Sequence, residues 1–239
     1  MGWMLTLTVV IPVLDDAEAL ADCLARLRAQ SVPVEVLVVD NGSTDDSVEV
    51  ARRAGARVIV ERAAGIPAAA STGLDSCTSD LVARVDADTR LPVDWASRVI
   101  AAFNDESVAA VTGPGEFYGS TALVHAVGRQ LYMRAYFASV ALLVGQKPVF
   151  GSNYAIRRDV WNSVRVHRAA NVHDDMDLSF QLDGRFRILY DPHLVVGISA
   201  RPITSLRNLA RHYWLAVVTI VVNWRERGPW RRWRERRRP

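Results

Sequence analysis

Apolar and polar positions follow two rhythms along the first half of the chain. Leu5–Ile11 (LTLTVVI) is a short β-branched run closing on Pro12, the pattern of a buried strand. Ala17–Gln30 carries Leu20, Leu24 and Leu27 at helical spacing. Val34–Val39 predicts a second buried strand, ended by Asp40-Asn41-Gly42, after which Ser43 or Thr44 is placed to cap a helix reaching about Arg53. Ala56–Glu61 predicts a third strand, and Pro67 suits the first turn of a helix running to Ser76. Leu81–Val85 predicts a fourth strand and Trp95–Asn104 a further helix. Strands alternating with short helices imply parallel βαβ units, hence an α/β fold with a mostly parallel central sheet.

The rhythm changes after Val111. Gly113-Pro114-Gly115 breaks the chain, and Thr121–Val144 then predicts a long helix, apolar almost all round. A strand–loop piece follows at Val149–Ile156, then a short helix at Asp174–Leu182. Strands are expected at Arg187–Tyr190 and Leu194–Ile198, with a closing helix at Ser205–Trp224. The expected organisation is one catalytic domain over residues 1–204, followed by an apolar helix and a basic tail over 205–239.

Charge sharpens this division. The net charge of the 239 residues is +3, yet Trp224–Pro239 holds eight arginines and two glutamates, a net of +6. The body is therefore −3, which argues against a body-wide nucleic-acid surface and for a localised anionic partner. Cys23 and Cys77 lack metal-ligand spacing and suit reduced structural thiols in a cytoplasmic setting. Met1–Leu5 has no charged leader pattern. The apolar runs Ala135–Gly145 and Tyr213–Val222 fall short of the ~18–20 residues that span a bilayer.

The acidic residues carry the chemistry. In an open parallel sheet, ligands bind beyond the carboxyl ends of the strands. Asp15 and Asp16 follow the first strand, Asp40 the second, and Asp86 and Asp88 the fourth, so all should face one rim. Like charges converge there at a cost unless a cation or hydrogen-bond donors offset them. Alternate residues of Asp86-Ala87-Asp88 point to opposite sides of the chain, so one carboxylate can hold a hard cation, Mg²⁺ or Mn²⁺, while the other reaches a ribose. A second cluster, His173-Asp174-Asp175-Met176-Asp177, opens a helix. It either offsets the helix dipole or supplies a general base beside an acceptor.

With these pieces in order, the chain resembles the family 2 glycosyltransferases of the GT-A fold, over roughly Leu5 to Arg201. Val9-Val10-Ile11-Pro12-Val13 is similar to the family's opening strand, and Val38–Asp45 to its nucleotide-binding turn. Gly65–Leu74 is similar to the helix before its D-x-D strand, and Val85-Asp86-Ala87-Asp88 to the D-x-D itself. Gly151–Arg158 resembles the loop lining the donor sugar, and Asp174-Asp175-Met176-Asp177-Leu178 the E-D-x-D-L helix. The resemblance implies a single GT-A-type, Rossmann-like sandwich and an inverting, metal-assisted transfer of sugar. The donor would be a UDP- or GDP-linked sugar, and the acceptor a hydroxyl or a lipid phosphate. It implies donor contacts from Pro12, Val13, Asp40, Gly42, Asp86, Ala87 and Asn153, and metal ligation by Asp86 and Asp88. Asp175 would be the general base, with Asp174 and Asp177 on the acceptor side.

The chain departs from the family pattern in places. Asp15-Asp16 stand where Asn-Glu is usual, Ala69-Ala70-Ser71 replaces Ala-Arg-Asn, and no Q-x-x-R-W motif follows. The five histidines, at 125, 167, 173, 193 and 212, suit surface or packing roles, with His173 and His193 nearest the expected metal. A sugar nucleotidylyltransferase would need a glycine-rich basic loop after the first strand, where Pro12-Val13-Leu14-Asp15-Asp16 stands instead. A degenerate scaffold or nucleotide-binding module is the other alternative; the missing arginine favours it and the intact Asp86/Asp88/Asp175 set opposes it. Trp224, Trp230 and Trp233 among arginines suit a membrane interface or a partner groove. A peripheral enzyme on the cytoplasmic face of an anionic membrane is therefore expected, acting on a lipid-linked or membrane-proximal acceptor.

Overall fold

The computed structural model describes residues 5–118, 134–201 and 206–228. Nine strands and eight α-helices are assigned among them. In chain order they are β1 (Leu7–Val13), α1 (Ala17–Arg28), β2 (Glu35–Asp40), α2 (Ser47–Arg53), β3 (Arg57–Val60), α3 (Ile66–Asp75), β4 (Leu81–Arg84) and α4 (Trp95–Ala102). These are followed by β5 (Val108–Thr112), β6 (Gly115–Tyr118), α5 (Arg134–Val144), β7 (Tyr154–Arg157), α6 (Arg158–Ser163), α7 (Asp174–Leu182), β8 (Arg187–Tyr190), β9 (Val196–Ser199) and α8 (Leu206–Glu226).

Seven strands form the central sheet in the order β3-β2-β1-β4-β7-β5-β8. All its pairings are parallel except those of β7, which runs antiparallel to both β4 and β5. The expected α/β fold with a mostly parallel sheet is what the structure shows. β6 and β9 pair in parallel as a separate two-stranded sheet.

Buried on both faces, β1 sends Val9, Ile11 and Val13 into one core with Leu20, Leu24, Leu27 and Trp95, and Val10 into another with Leu74, Trp161 and Leu178. This two-sided burial is why its sequence reads as a continuous apolar run. On the second face α3 lies tight against the sheet, because Gly73 presents no side chain; a Cβ there would stand 2.3 Å from Val10 and 2.7 Å from Val39. Both cysteines are free and buried, and burial pushes the Cys77 thiol up to about 11, so each behaves as packing.

Several sequence expectations are corrected. α2 starts at Ser47, so neither Ser43 nor Thr44 caps it. Instead the Ser43 hydroxyl accepts the Asp15 N–H at 3.1 Å, and Thr44 donates its N–H to the Asp15 carboxylate at 2.6 Å. Asp15, at φ +50°, thus knits the turn after β1 to the turn after β2. Strand β6 and helix α6 were not expected; four and six residues are too short for periodicity to register. Of the long helix expected at Thr121–Val144, Arg134–Val144 is helical and residues 121–133 lie outside the described residues. The strand expected within Val149–Ile156 is confined to Tyr154–Arg157.

α8 docks by its inner face. Ala216 and Ile220 pack on Met176 and Phe180 of α7 and on Val140 and Val144 of α5. Thr219 accepts the His173 N–H at 2.7 Å, and Asn223 donates to Asp177 at 2.7 Å. No described helix is long and apolar enough to cross a membrane.

Candidate active site

β1, β2 and β4 are mutually parallel neighbours, so their carboxyl ends share one rim. Asp40 closes β2 and is buried, its Oδ1 accepting the Ser43 N–H at 3.0 Å. Gly42 follows at φ +97°, with open space where a side chain would stand. Pro12 and Val13 are buried at the end of β1, and the Val13 carbonyl accepts the Asn41 N–H at 2.9 Å. Asn41 in turn holds the loop before α3, accepting the Gly65 N–H at 2.7 Å and donating to the carbonyls of Glu61 and Ala63.

Beyond β4 the two carboxylates diverge as their alternation requires. Asp86 accepts from Arg84 Nη2 at 2.5 Å and from the Ser152 hydroxyl, while Asp88 accepts from Arg201 Nη2 at 2.7 Å. Burial, and after it the Asp86 charge, raises the Asp88 carboxyl above its ordinary value despite Arg201, so the pair carries its full charge only at a cost. Hard oxygen ligands in that condition fit a divalent cation. Ala87 between them is buried.

Arg84 is the residue that sequence reasoning missed. It lies on a central strand, only 3% exposed, with its Nε unpartnered. One arm pairs with Asp86 and the other lies 3.4 Å from Asp174 at the start of α7, so a single guanidinium spans both acidic clusters. Gly151 makes this possible: a Cβ there would sit 2.0 Å from Arg84 Nη1 and 3.1 Å from Asp175 Oδ2. Its N–H donates to Asp175 at 2.8 Å, and the next residue, Ser152, holds Asp86. One dipeptide therefore fixes a carboxylate of each cluster. The signal for Arg84 is an arginine inside an otherwise apolar four-residue strand, LVAR, where a charge must find partners.

Asp175 is 4% exposed, its Oδ1 2.8 Å from His173 Nδ1. Burial alone would raise its carboxyl, but His173, Arg84 and the Gly151 N–H outweigh burial and hold it below the usual carboxylate range. Asp174 moves the other way, because burial dominates and Asp175 adds to it against Arg84. His173, Asp174 and Asp175 bring ligand atoms within 4.8 Å of one another. Arg84 serves both clusters, 2.5 Å from Asp86 and 3.4 Å from Asp174, while His173 pairs with Asp175 and Arg201 with Asp88.

Two of the expected contact residues are engaged inside the chain. Asn153 is fully buried; its Oδ1 accepts from Trp95 Nε1 at 2.9 Å and its Nδ2 donates to the Leu194 carbonyl at 2.6 Å. Through these bonds it braces the floor of the site. Asp177 is likewise fully buried, accepting the His167 N–H and the Asn223 amide, both at 2.7 Å, and pairing with His167 Nδ1 at 2.8 Å. It anchors α7 to α8. Ala70, where the family pattern has arginine, lines a small cavity of about 10 Å³ with Asp174 and Tyr154.

Burial alone would lower the His173 imidazole, but the bonded Asp175 carboxylate reverses this and lifts it to about 9. A raised histidine contributes stability that is complete below its unfolded value of 6.5 and is lost as pH climbs through about 9. Denaturant melts at about pH 6 and about pH 10 should show the native chain losing at most about 3 kcal/mol more than His173→Gln. Equal losses in both chains would detach His173 from the effect.

Comparison with known proteins shows the fold and the family. An uncharacterized glycosyltransferase of Mycobacterium tuberculosis is 39% identical over 106 residues, covering 44% of this chain and 47% of its own. An undecaprenyl-phosphate 4-deoxy-4-formamido-L-arabinose transferase of Pseudomonas savastanoi pv. phaseolicola is 33% identical over 105 residues, 39% of this chain and 31% of its own. The chain thus spans less than half the length of these relatives. Among solved structures, glucosyl-3-phosphoglycerate synthase of Mycobacterium tuberculosis, in complex with Mn²⁺, UDP-glucose and phosphoglyceric acid, superposes with a TM-score of 0.66 at 20% identity, covering 92% of this chain and 79% of that one. A mannosyltransferase of Pyrobaculum calidifontis, in complex with GDP-mannose and Mn²⁺, gives 0.68 at 20% identity, covering 90% and 65%. These structures share the fold. The model described as glycosyl transferase family 2 matches residues 8–164, well over half of the sequence, and the chain belongs to that family.

Proposed function

We propose that the protein is an inverting glycosyltransferase that moves a sugar from a UDP- or GDP-linked donor to a lipid-linked or membrane-proximal acceptor. The observation that carries this reading is the tie between the rim pair Asp86/Asp88 and Asp175, made by Arg84 and the Gly151-Ser152 dipeptide. Donor-side and acceptor-side carboxylates are held by one rigid unit, as a single displacement requires of its leaving-group and nucleophile ends.

Asp40, with the open turn at Gly42, receives the nucleoside, and Asp86 the ribose. Mg²⁺ or Mn²⁺ held by Asp86 and Asp88 would stabilise the charge that develops on the diphosphate leaving group. Asp175 faces the acceptor as general base. Gly151 and His173 fix its orientation. The named activity of the undecaprenyl-phosphate transferase, and the donors bound in the two solved structures, support this choice of substrates.

The acceptor class draws support from α8. Its outer face exposes Tyr213, Trp214, Val217, Val221 and Trp224 as one stripe, with Arg211 and Arg225 also exposed. Aromatic rings beside arginines suit the headgroup level of an anionic bilayer, such as a cytoplasmic leaflet presents. The tail's net +6 adds at most roughly 6 kcal/mol before screening.

UDP-, GDP- and dTDP-sugars with Mn²⁺ should raise the melting temperature selectively, because a ligand bound to the folded state stabilises it. The matching donor should then label a polyprenyl phosphate. The full chain should pellet with anionic liposomes at low salt, and a chain ending at Asn223 much less. No donor shift would overturn the transferase reading. Both chains remaining in the supernatant would overturn the membrane reading alone.

A further inference from the structure

Arg201 stands just beyond β9 and reaches across the rim. Its Nη2 lies 2.5 Å from Asp16 Oδ2 and 2.7 Å from Asp88 Oδ2, and its Nη1 lies 3.2 Å from Asp16 Oδ1. One guanidinium therefore clamps a carboxylate from the turn after β1 to one from the turn after β4. Within its own segment its backbone N–H and its Nε donate to the Ser199 hydroxyl, each at 3.2 Å. The side chain is 58% exposed, against 4% for Arg84, so it can swing away without disturbing a core.

We propose that Arg201 is a resident counter-cation of the acidic rim, which a divalent metal must displace from Asp88 and which then turns to the diphosphate arriving with that metal. This rests on the assignment of the metal to Asp88 made above.

The argument is one of charge and space. A metal ion ligated by Asp88 would sit about 2.0–2.2 Å from a carboxylate oxygen. That carboxylate already accepts the guanidinium at 2.7 Å, and two cations on one group repel strongly. Arg201 keeps its bidentate partner Asp16 but must release Asp88. What neutralises the new excess of positive charge is an anion. A diphosphate is the group whose oxygens match a guanidinium fork, and it is what a nucleotide-sugar donor brings. Metal alone thus has to break an ion pair. Metal with diphosphate breaks the same pair and gains a replacement for it. The two ligands are therefore coupled through Arg201, each raising the affinity of the other by the same factor.

The test is Mn²⁺ binding to the full chain, read from the signal of free Mn²⁺ by electron paramagnetic resonance, with and without UDP or GDP. Without nucleotide, Arg201→Gln should bind Mn²⁺ roughly three- to fivefold more tightly than the native chain, the scale of one surface ion pair released. The factor by which UDP or GDP enhances Mn²⁺ binding should fall by at least that much. Arg90→Gln is the charge control. Arg90 pairs with Asp22 and stacks on Tyr118, whose hydroxyl donates to the Asp88 carbonyl, yet it touches neither rim carboxylate. It should leave Mn²⁺ binding unchanged.

An equal gain in Arg90→Gln would reduce the effect to net charge and overturn the proposal. So would unchanged Mn²⁺ affinity in Arg201→Gln, or the absence of any nucleotide enhancement in the native chain. Asp88→Asn separates the underlying assignment. If that variant binds Mn²⁺ as the native chain does, the metal is not on Asp88 and the reading of the rim fails first.

Discussion

Asp88→Ala should sharply weaken metal-dependent donor binding while the fold persists. The carboxylate lies on the rim, 21% exposed, and its partner Arg201 retains Asp16. Deleting it also relieves the repulsion that Asp86 exerts on it. The loss of the Arg201 pair and the relief of that repulsion offset each other, so the change in stability should stay within about 1 kcal/mol. Binding behaves differently. Asp86 alone, with its two oxygens committed to Arg84 and Ser152, is a poor site for a hard cation that requires several oxygen ligands. Calorimetry with Mn²⁺ and the matching nucleoside diphosphate should show donor affinity falling by roughly a hundredfold, the scale of losing a charged ligand to the diphosphate–metal unit. Turnover at the native rate in chelator would remove Asp88 from the metal site and Mn²⁺ from the mechanism.

The sequence shows the rim more clearly than it shows what holds the rim together. β1, β2 and β4 announce themselves because strands buried on both faces are dominated by apolar residues, and Asp40 and Asp86 stand out at or just beyond the ends of such runs. α7 is legible to the residue, since three acids in its first turn oppose the helix dipole and then give way to a periodic apolar face. The groups that join the two acidic clusters leave no such trace. Arg84 pairs with an acid two residues on and with another ninety positions away, and only the crossing of β4 and β7 shows that its strand runs beside the Gly151 loop. Ser152 and Arg201 are equally ordinary in sequence and acquire their roles from a loop and a strand end brought to the rim. Asp177 and Asn153 illustrate the converse. Each lies inside a motif that suggests chemistry, yet burial turns their polar atoms to Asn223 and His167 in one case, and to Trp95 and Leu194 in the other. A motif gives the residue type and its approximate place, while the direction of the side chain depends on contacts distant in sequence.

Asp175→Asn should leave donor binding intact and cut transfer by roughly 10²–10⁴-fold, the usual contribution of a positioned acid–base group. The substitution is nearly isosteric, and the amide can keep both neighbours. Its carbonyl oxygen accepts the Gly151 N–H, and its NH₂ faces the His173 ring, which must then be neutral to accept. The loop that holds Asp86 through Ser152 should stay in place for that reason, and so should the metal and donor affinity of the rim. What disappears is the proton acceptor. His173 loses the charge that lifts it, so its imidazole should return toward its ordinary range, a shift that nuclear magnetic resonance titration can follow independently of turnover. The neighbouring acids provide the contrast. Asp177→Asn should lower stability by about 1–3 kcal/mol, because it disturbs a buried carboxylate with three partners, and should spare transfer in whatever fraction remains folded. Asp174→Asn removes a partner of Arg84 and should loosen the link between the clusters, with a smaller loss of transfer than at Asp175. Undiminished transfer in Asp175→Asn, together with a large loss in Asp174→Asn, would move the base one residue toward the helix start. Undiminished transfer in both would indicate an acceptor that arrives already ionised, such as a lipid phosphate that needs no base at all.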